Sequence, residues 1–231
     1  MRVLLIETQD SVAKSILMML RGEGSSCDIA MTGEEGMEMA DLYRYDIVLL
    51  DAHLRDIDGM EVLRQLRRRK QCPPILMLSD VVDVGEKVKA LGLGADDFLT
   101  KPFGMAELRA RVHAIVRRAN GYSHSVVRIG RLDVHLSNRS VTVDGNPLHL
   151  TGKEFAILET LCLRKGALMT KEVILDQIYG ADEGPESNTI DVFMCSLRKK
   201  LTRASGGENY IQTEWGRGYA LREPTAMALA A

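Results

Sequence analysis

The sequence predicts an α/β unit built on a parallel sheet, followed by a smaller α+β unit of helices and hairpins. Three observations carry this reading. Apolar runs alternate with helical patterns through the first half, turn formers interrupt the chain at residues 119–125, and beyond them the apolar segments are short and punctuated by Gly, Asn and Pro. At 231 residues the chain suits two domains of about 100–120 residues, each able to bury its own core.

In the first half Val3–Ile6, Ser26–Ala30, Asp46–Leu50, Ile75–Ser79 and Phe98–Thr100 read as strands. Between and after them, near Ser11–Gly22, Glu34–Leu42, Met60–Lys70, Gly85–Leu93 and Met105–Ala119, apolar residues recur at helical spacing. Right-handed crossovers then place helices on both faces of the sheet. Beyond the linker, Asp144-Gly145-Asn146-Pro147 is a turn signal between Ser140–Val143 and Leu148–Leu150. Thr151 with Glu154 three residues on marks a capped helix start. Helices are expected at about 152–164, 171–179 and 187–203, and Tyr210–Leu221 reads as a closing hairpin.

Composition bounds the function. Hydrophobic residues at 45% and charged residues at 27% suit a soluble globular protein. No apolar run reaches membrane-spanning length and MRVLLIE reads as a strand, so a cytoplasmic protein without membrane attachment is expected. Cys27, Cys72, Cys162 and Cys195 form no CxxC pair, which argues against zinc and disulfides. The net charge of −2 does not announce nucleic acid, so any DNA contact must come from local clustering.

Two clusters carry chemistry. In a doubly wound sheet ligands bind outside the carboxyl ends of the strands. Glu7, Asp51, Ser79 and Lys101-Pro102 sit at four such ends. Two carboxylates suit Mg²⁺, and a lysine with a hydroxyl can hold a phosphoryl group beside it, with Asp51 as acceptor. Asp10, where the first helix begins, reads as an N-cap.

In the second half, the helix from about Ser187 has an apolar side of Ile190, Val192, Phe193, Leu197 and Leu201. Arg198, Lys199, Lys200 and Arg203 cluster at its end to neutralise phosphates, while Asn188, Thr189, Cys195 and Ser196 are placed to reach base edges. Arg217, in a two-glycine turn between Trp215 and Tyr219, is expected to enter a minor groove, with Tyr219 packing partly in the core.

These residues resemble two modules of one family. Glu7, Asp51, Ser79 and Lys101-Pro102-Phe103, with Gly94-Ala95-Asp96-Asp97-Phe98, are similar to the receiver domain of two-component response regulators. Leu150–Phe155, Ile190–Leu201 and Trp215–Pro224 are similar to the winged helix of the OmpR/PhoB subfamily, and the similarity is strongest to its alphaproteobacterial cell-cycle members. The resemblance implies a flavodoxin-like (βα)5 receiver at 1–118, a linker at 119–125, a winged-helix domain at 126–224 and a flexible tail at 225–231. It implies phosphorylation of Asp51 by a histidine kinase or phosphotransfer protein, with Mg²⁺ held by Glu7, Asp51 and the carbonyl of His53. Ser79 and Phe98 take the positions of the switch pair, and Lys101 that of the phosphate-binding lysine. It further implies a homodimer through Lys87, Asp96, Asp97, Glu107, Arg111 and Arg118, with Lys87–Glu107 and Asp97–Arg111 as intermolecular pairs. The dimer would bind two half-sites in tandem on double-stranded DNA, with the loop 181–186 touching RNA polymerase.

The chain departs from that pattern where it matters. Thr8 stands in place of a metal-binding acid, Arg55 in place of a loop proline, and Asp80 in place of a small residue after the switch hydroxyl. Loss of a carboxylate weakens binding of a hard cation, so weakened phosphorylation is expected. The expected function is a DNA-binding transcription regulator and not an enzyme. The alternatives are a metal-assisted phosphatase using Asp51 and a pure protein-interaction module.

Overall fold

A computed structural model describes residues 1–164, 166–180 and 188–224, with the Asn188 side chain outside that set. The expected tail at 225–231 and the loop at 181–186 lie outside the described residues.

The first unit contains β1 (Arg2–Ile6), α1 (Asp10–Gly22), β2 (Ser26–Ala30), α2 (Gly33–Leu42) and β3 (Ile47–Asp51). It continues with α3 (Gly59–Arg67), β4 (Ile75–Ser79), α4 (Val84–Gly92), β5 (Asp97–Thr100) and α5 (Met105–Ala119). All strands are parallel in the order β2-β1-β3-β4-β5. Alternation along β1 sends Val3 and Leu5 to a core with α1 and α5, and Leu4 and Ile6 to a core with α2 and α3. Both faces are covered, which explains the near-continuous apolar strands.

Several boundaries shift from expectation by a few residues, and two of the shifts concern candidate residues. Asp46 precedes β3, its carboxylate accepting a hydrogen bond from the Arg2 amide (2.8 Å), and Asp51, in register with Leu78, is the last residue of that strand. Asp10 is the first helical residue and no cap: Gln9 occupies the N-cap without a side-chain bond, and Asp10 instead pairs with Lys14 at 2.6 Å.

The second unit opens with a four-stranded antiparallel sheet of β6 (Val126–Ile129), β7 (Leu132–His135), β8 (Ser140–Val143) and β9 (Asn146–Leu148). The β8–β9 turn is Asp144-Gly145, both at positive φ (49° and 78°), so Asn146 and Pro147 join the strand rather than the turn. A two-residue loop with two positive φ values is the geometry that follows strand twist, and Pro147 is tolerated because β9 is an edge. Helices α6 (Gly152–Leu163), α7 (Lys171–Tyr179) and α8 (Asn188–Ser205) follow, then the hairpin β10 (Ile211–Glu214) and β11 (Gly218–Leu221). Thr151 and Glu154 form the expected capping box. One core, including Leu158, Ile174, Ile190, Leu197 and Tyr210, joins all of these elements.

Candidate phosphoryl site and nucleic-acid interface

The carboxyl ends of β1, β3, β4 and β5 bring Glu7, Asp51, Ser79 and Lys101 together, all buried. Lys101 Nζ lies 2.8 Å from Glu7 Oε2 and 3.1 Å from Asp51 Oδ2, in contacts that leave all three atoms without a well-aligned hydrogen bond. The His53 amide donates to Asp51 Oδ1 (3.2 Å), and the Gln9 amide to Glu7 Oε1 (2.9 Å). Burial raises the Glu7 carboxyl above its ordinary value, opposed by Lys101. Lys101's own burial works to lower its ammonium, but Glu7 and Asp51 outweigh it and hold the proton more tightly than usual. Gly59 opens α3 against this loop; a Cβ there would lie 2.3 Å from the Asp51 carbonyl oxygen.

The switch candidates are also placed. Ser79 Oγ accepts from the Val81 amide (3.1 Å) and donates to Glu86 Oε1 (3.2 Å). Phe98 is buried, with Lys87 Nζ 5.9 Å from its ring centroid. Thr8 is buried, Arg55 is exposed, and Asp80 accepts from Gln9 Nε2 (3.3 Å). Among the described residues no group of three His, Cys, Asp or Glu is placed to hold a metal. The Glu7 and Asp51 oxygens that lie against Lys101 without a well-aligned hydrogen bond are hard ligands that fit a divalent cation, with one carboxylate fewer than a site that carried an acid at Thr8.

On α4, β5 and α5, Arg111 binds Asp97 (2.6 Å) and Glu107 (2.7 Å) within one chain, so three of the residues expected to pair between subunits are paired with one another in the monomer. Asp96 is engaged internally too: its carboxylate pairs with Arg67 and accepts from the Ile75 amide (2.7 Å), tying β5 to the start of β4. Arg118 donates to the Ala114 carbonyl (3.3 Å). Val84, Val88 and Leu91 make an exposed apolar row on α4 beside Lys87.

The second site lies between α8 and the β10–β11 hairpin. Ile190, Met194, Leu197 and Leu201 anchor α8 in the core. Val192, Cys195, Lys199 and Arg203, spaced by three and four residues, form its exposed row, and Thr189 is half-buried. Val192, expected on the apolar side, is therefore outward, a misreading that arises because periods of 3 and 4 fit it to either face. Three residues expected to contact DNA have partners within the chain. Ser196 Oγ and Lys200 Nζ donate to Glu154 (2.7 and 2.6 Å), and Arg198 donates to the Ile211 carbonyl (2.9 Å) and Thr213 Oγ1 (2.5 Å). Asn188 opens α8. A groove of about 790 Å³ runs between helix and hairpin, bordered by Cys195, Lys199, Trp215 and Arg217. Trp215 is 92% exposed, and Arg217, also exposed, pairs with Glu214 (3.0 Å). Tyr219 is buried as expected, and its hydroxyl donates to Asp191 (2.5 Å), itself paired with Lys171 (2.7 Å).

Comparison with known proteins identifies the family of both units. The response regulator receiver domain family matches residues 3–113, and the C-terminal domain of transcriptional regulatory proteins matches residues 145–221. The cell cycle response regulator CtrA of Brucella anthropi is 52% identical over 226 residues, covering 98% of this chain and 97% of that protein. The chain belongs to the CtrA-like response regulators of the OmpR/PhoB type. Its fold is accordingly a flavodoxin-like receiver followed by a winged helix, and it is a DNA-binding transcription regulator of a family that is not enzymatic. Among solved structures, the Thermotoga maritima response regulator DrrB, described as an OmpR/PhoB homologue, is 25% identical, covering 96% of this chain and 98% of its own, with a TM-score of 0.47. A two-component response regulator from Clostridium difficile is 30% identical, covering 52% of this chain and 98% of its own, with a TM-score of 0.50. No helix among the described residues of this regulator is long and apolar enough to cross a membrane.

Proposed function

We propose that this regulator acts as a two-fold dimer of receivers, joined through α4, β5 and α5, that binds DNA with the exposed row of α8 and the β10–β11 wing. The observation that carries the DNA reading is the convergence of Lys199 and Cys195 on the helix with Trp215 and Arg217 on the wing across one groove. Lys199, Arg203 and Arg217 neutralise phosphates, Cys195 and Thr189 face base edges, and Val192 meets a thymine methyl. Arg198, Ser196 and Lys200 act one step back, by holding the helix against Glu154 and β10. Titration with promoter duplex, followed by Trp215 emission, tests this. A spectral shift on binding is expected, and binding with the emission unchanged sinks the wing contact.

For the receiver, Asp51 is the phosphoryl acceptor, with Lys101 and Ser79 placed for the transferred group. Glu7, Asp51 and the His53 carbonyl would hold Mg²⁺, whose positive charge would neutralise the incoming phosphate. The cation binds weakly for want of an acid at Thr8. The partner is a histidine kinase or phosphotransfer protein, the output a change in polymerase recruitment, and the setting cell-cycle control, as the name of the Brucella relative suggests. The dimer reading rests on the exposed row Val84, Val88 and Leu91 beside Lys87, Asp97, Glu107 and Arg111, apolar area with a charged rim.

A further inference from the structure

The first turn of α4 reaches into the phosphoryl site through a carboxylate that the roles of Asp51 and Lys101 do not require. Glutamates stand third in several helices of this chain, and elsewhere they serve their own helix. Glu35 in α2 accepts from the Met31 amide (2.7 Å) and Glu154 in α6 from the Thr151 amide (2.7 Å), each folding back over its helix start. Glu61 in α3 bonds Gln65 (3.2 Å) and Glu107 in α5 pairs with Arg111 (2.7 Å), one turn further on. Glu86 holds the same position in α4, but its carboxylate turns off the helix toward the end of β4, where Oε1 accepts from the Ser79 hydroxyl (3.2 Å).

Burial strengthens this bond. Ser79 is fully buried, and its Oγ also accepts from the Val81 amide (3.1 Å), which fixes where the hydroxyl proton points. The Glu86 side chain is drawn in with it, only 18% exposed, and His53 Nε2 lies 4.0 Å from the same oxygen. An acid that merely complemented the α4 dipole would do so facing solvent, so that role leaves the inward turn unexplained. Lys87, the next residue, sits 5.9 Å over the Phe98 ring, and one turn of α4 thereby touches both switch candidates. Asp51 stands beside Leu78 in the sheet, with Ser79 one residue further along β4. A hydroxyl has a single proton to give. A phosphoryl group on Asp51 would claim that proton for one of its oxygens and bring about two negative charges toward the Glu86 carboxylate. Ser79 cannot serve both anions.

We infer that Glu86 is a positioning residue that competes with the phosphoryl group for the Ser79 proton, holding the first turn of α4 at the end of β4 until Asp51 is phosphorylated. The inference rests on Asp51 as the phosphoryl acceptor. Its effect is to raise the threshold for phosphorylation, because the bond from Ser79 to Glu86 must break before the hydroxyl can turn to the new group. Breaking it also frees the turn that carries Lys87, so the competition at one hydroxyl is felt along α4.

The test titrates the full chain with beryllium trifluoride, a phosphoryl mimic that binds a carboxylate, at one fixed Mg²⁺ concentration, with the bound form read by fluorine NMR. Glu86→Ala is expected to bind the probe about tenfold more tightly than wild type, the worth of one hydrogen bond to a charged group. Glu86→Gln keeps a neutral, weaker acceptor for Ser79 and should gain about threefold; it also guards against a folding defect in the alanine variant. Both variants are then repeated with Ser79→Ala, where the gain should shrink to about twofold or less, because the hydroxyl they compete for is gone. An unchanged affinity in both Glu86 variants overturns the proposal. Equal gains with and without Ser79 overturn it as well, since Glu86 would then act by charge alone. Asp51→Asn separates the two levels: if it binds the probe as wild type does, the acceptor reading itself fails and the proposal with it.

Discussion

Truncating Glu154 to alanine should damage the DNA-binding unit more than removing any exposed cation. This carboxylate accepts from the Thr151 amide (2.7 Å), Ser196 Oγ (2.7 Å) and Lys200 Nζ (2.6 Å), so it caps α6 and pins α8 to it. Losing the reciprocal cap costs about 1 kcal/mol. Each bond to a buried charge is worth roughly 1.5 kcal/mol or more, with the Lys200 contribution discounted because that side chain is about a third exposed. The total is about 3 kcal/mol, which lowers the unfolding temperature of a domain this size by roughly 15 °C. Calorimetry on the full chain reads the shift directly. Glu154→Gln, which keeps an acceptor for the cap, should lose only about 1 kcal/mol. Burial works to raise the Glu154 carboxyl, but the bonds from Lys200, Thr151 and Ser196 hold it below its ordinary value. The stabilisation is therefore present above the ordinary carboxylate value and lost as pH falls through the lower folded one, so the gap between wild type and Gln should close in acid. A shift under about 3 °C for Glu154→Ala, against this 3 kcal/mol estimate, would refute the reasoning.

Further consequences are as direct. Thr8→Asp restores a carboxylate beside Glu7 and Asp51 and should lower the Mg²⁺ needed for labelling by a phosphodonor about tenfold, whereas Asp51→Asn abolishes labelling; equal Mg²⁺ dependence of Thr8→Asp and wild type contradicts the metal argument. Gly218→Ala should unseat the wing, because that residue has φ 138° and a Cβ would lie 2.0 Å from the Met169 carbonyl oxygen; DNA affinity is expected to fall with α8 intact by circular dichroism. Where the two units meet, burial works to lower the His113 imidazole, but Glu159 (3.5 Å from Nδ1) and Glu23 (3.1 Å from Nε2) outweigh it and raise it above its ordinary value. Its contribution is full below the ordinary histidine value and lost as pH rises through the raised one, so the two units should uncouple on the alkaline side, a change read by NMR relaxation and absent in Glu159→Gln.

The sheet order and the convergence of Glu7, Asp51, Ser79 and Lys101 were legible because strand ends in a doubly wound sheet share one edge, whatever their separation in sequence. The β8–β9 turn was drawn two residues too long, since Pro147 reads as a turn former until the edge position of β9 is known. Arg198, Ser196 and Lys200 were assigned to DNA on charge and polarity, but their partners Glu154, Ile211 and Thr213 come from other elements, and periodicity within one helix carries no such information. The ion cluster of Glu23, His113, Glu159 and Arg139 between the two units was invisible for the same reason. Its one sequence trace is His113 inside the apolar run Val112–Val116, a titratable residue on a buried face whose partners Glu23 and Glu159 sit at the end of α1 and on α6.

The central claim is that α8 and the wing grip one duplex together, and the salt dependence of DNA binding tests it most directly. Each phosphate contact removed should reduce the slope of log affinity against log salt by about 0.9, so Lys199→Ala with Arg217→Ala in the full chain should lose roughly 2 units of slope, with each single variant losing half. A double variant with the wild-type slope would contradict the account.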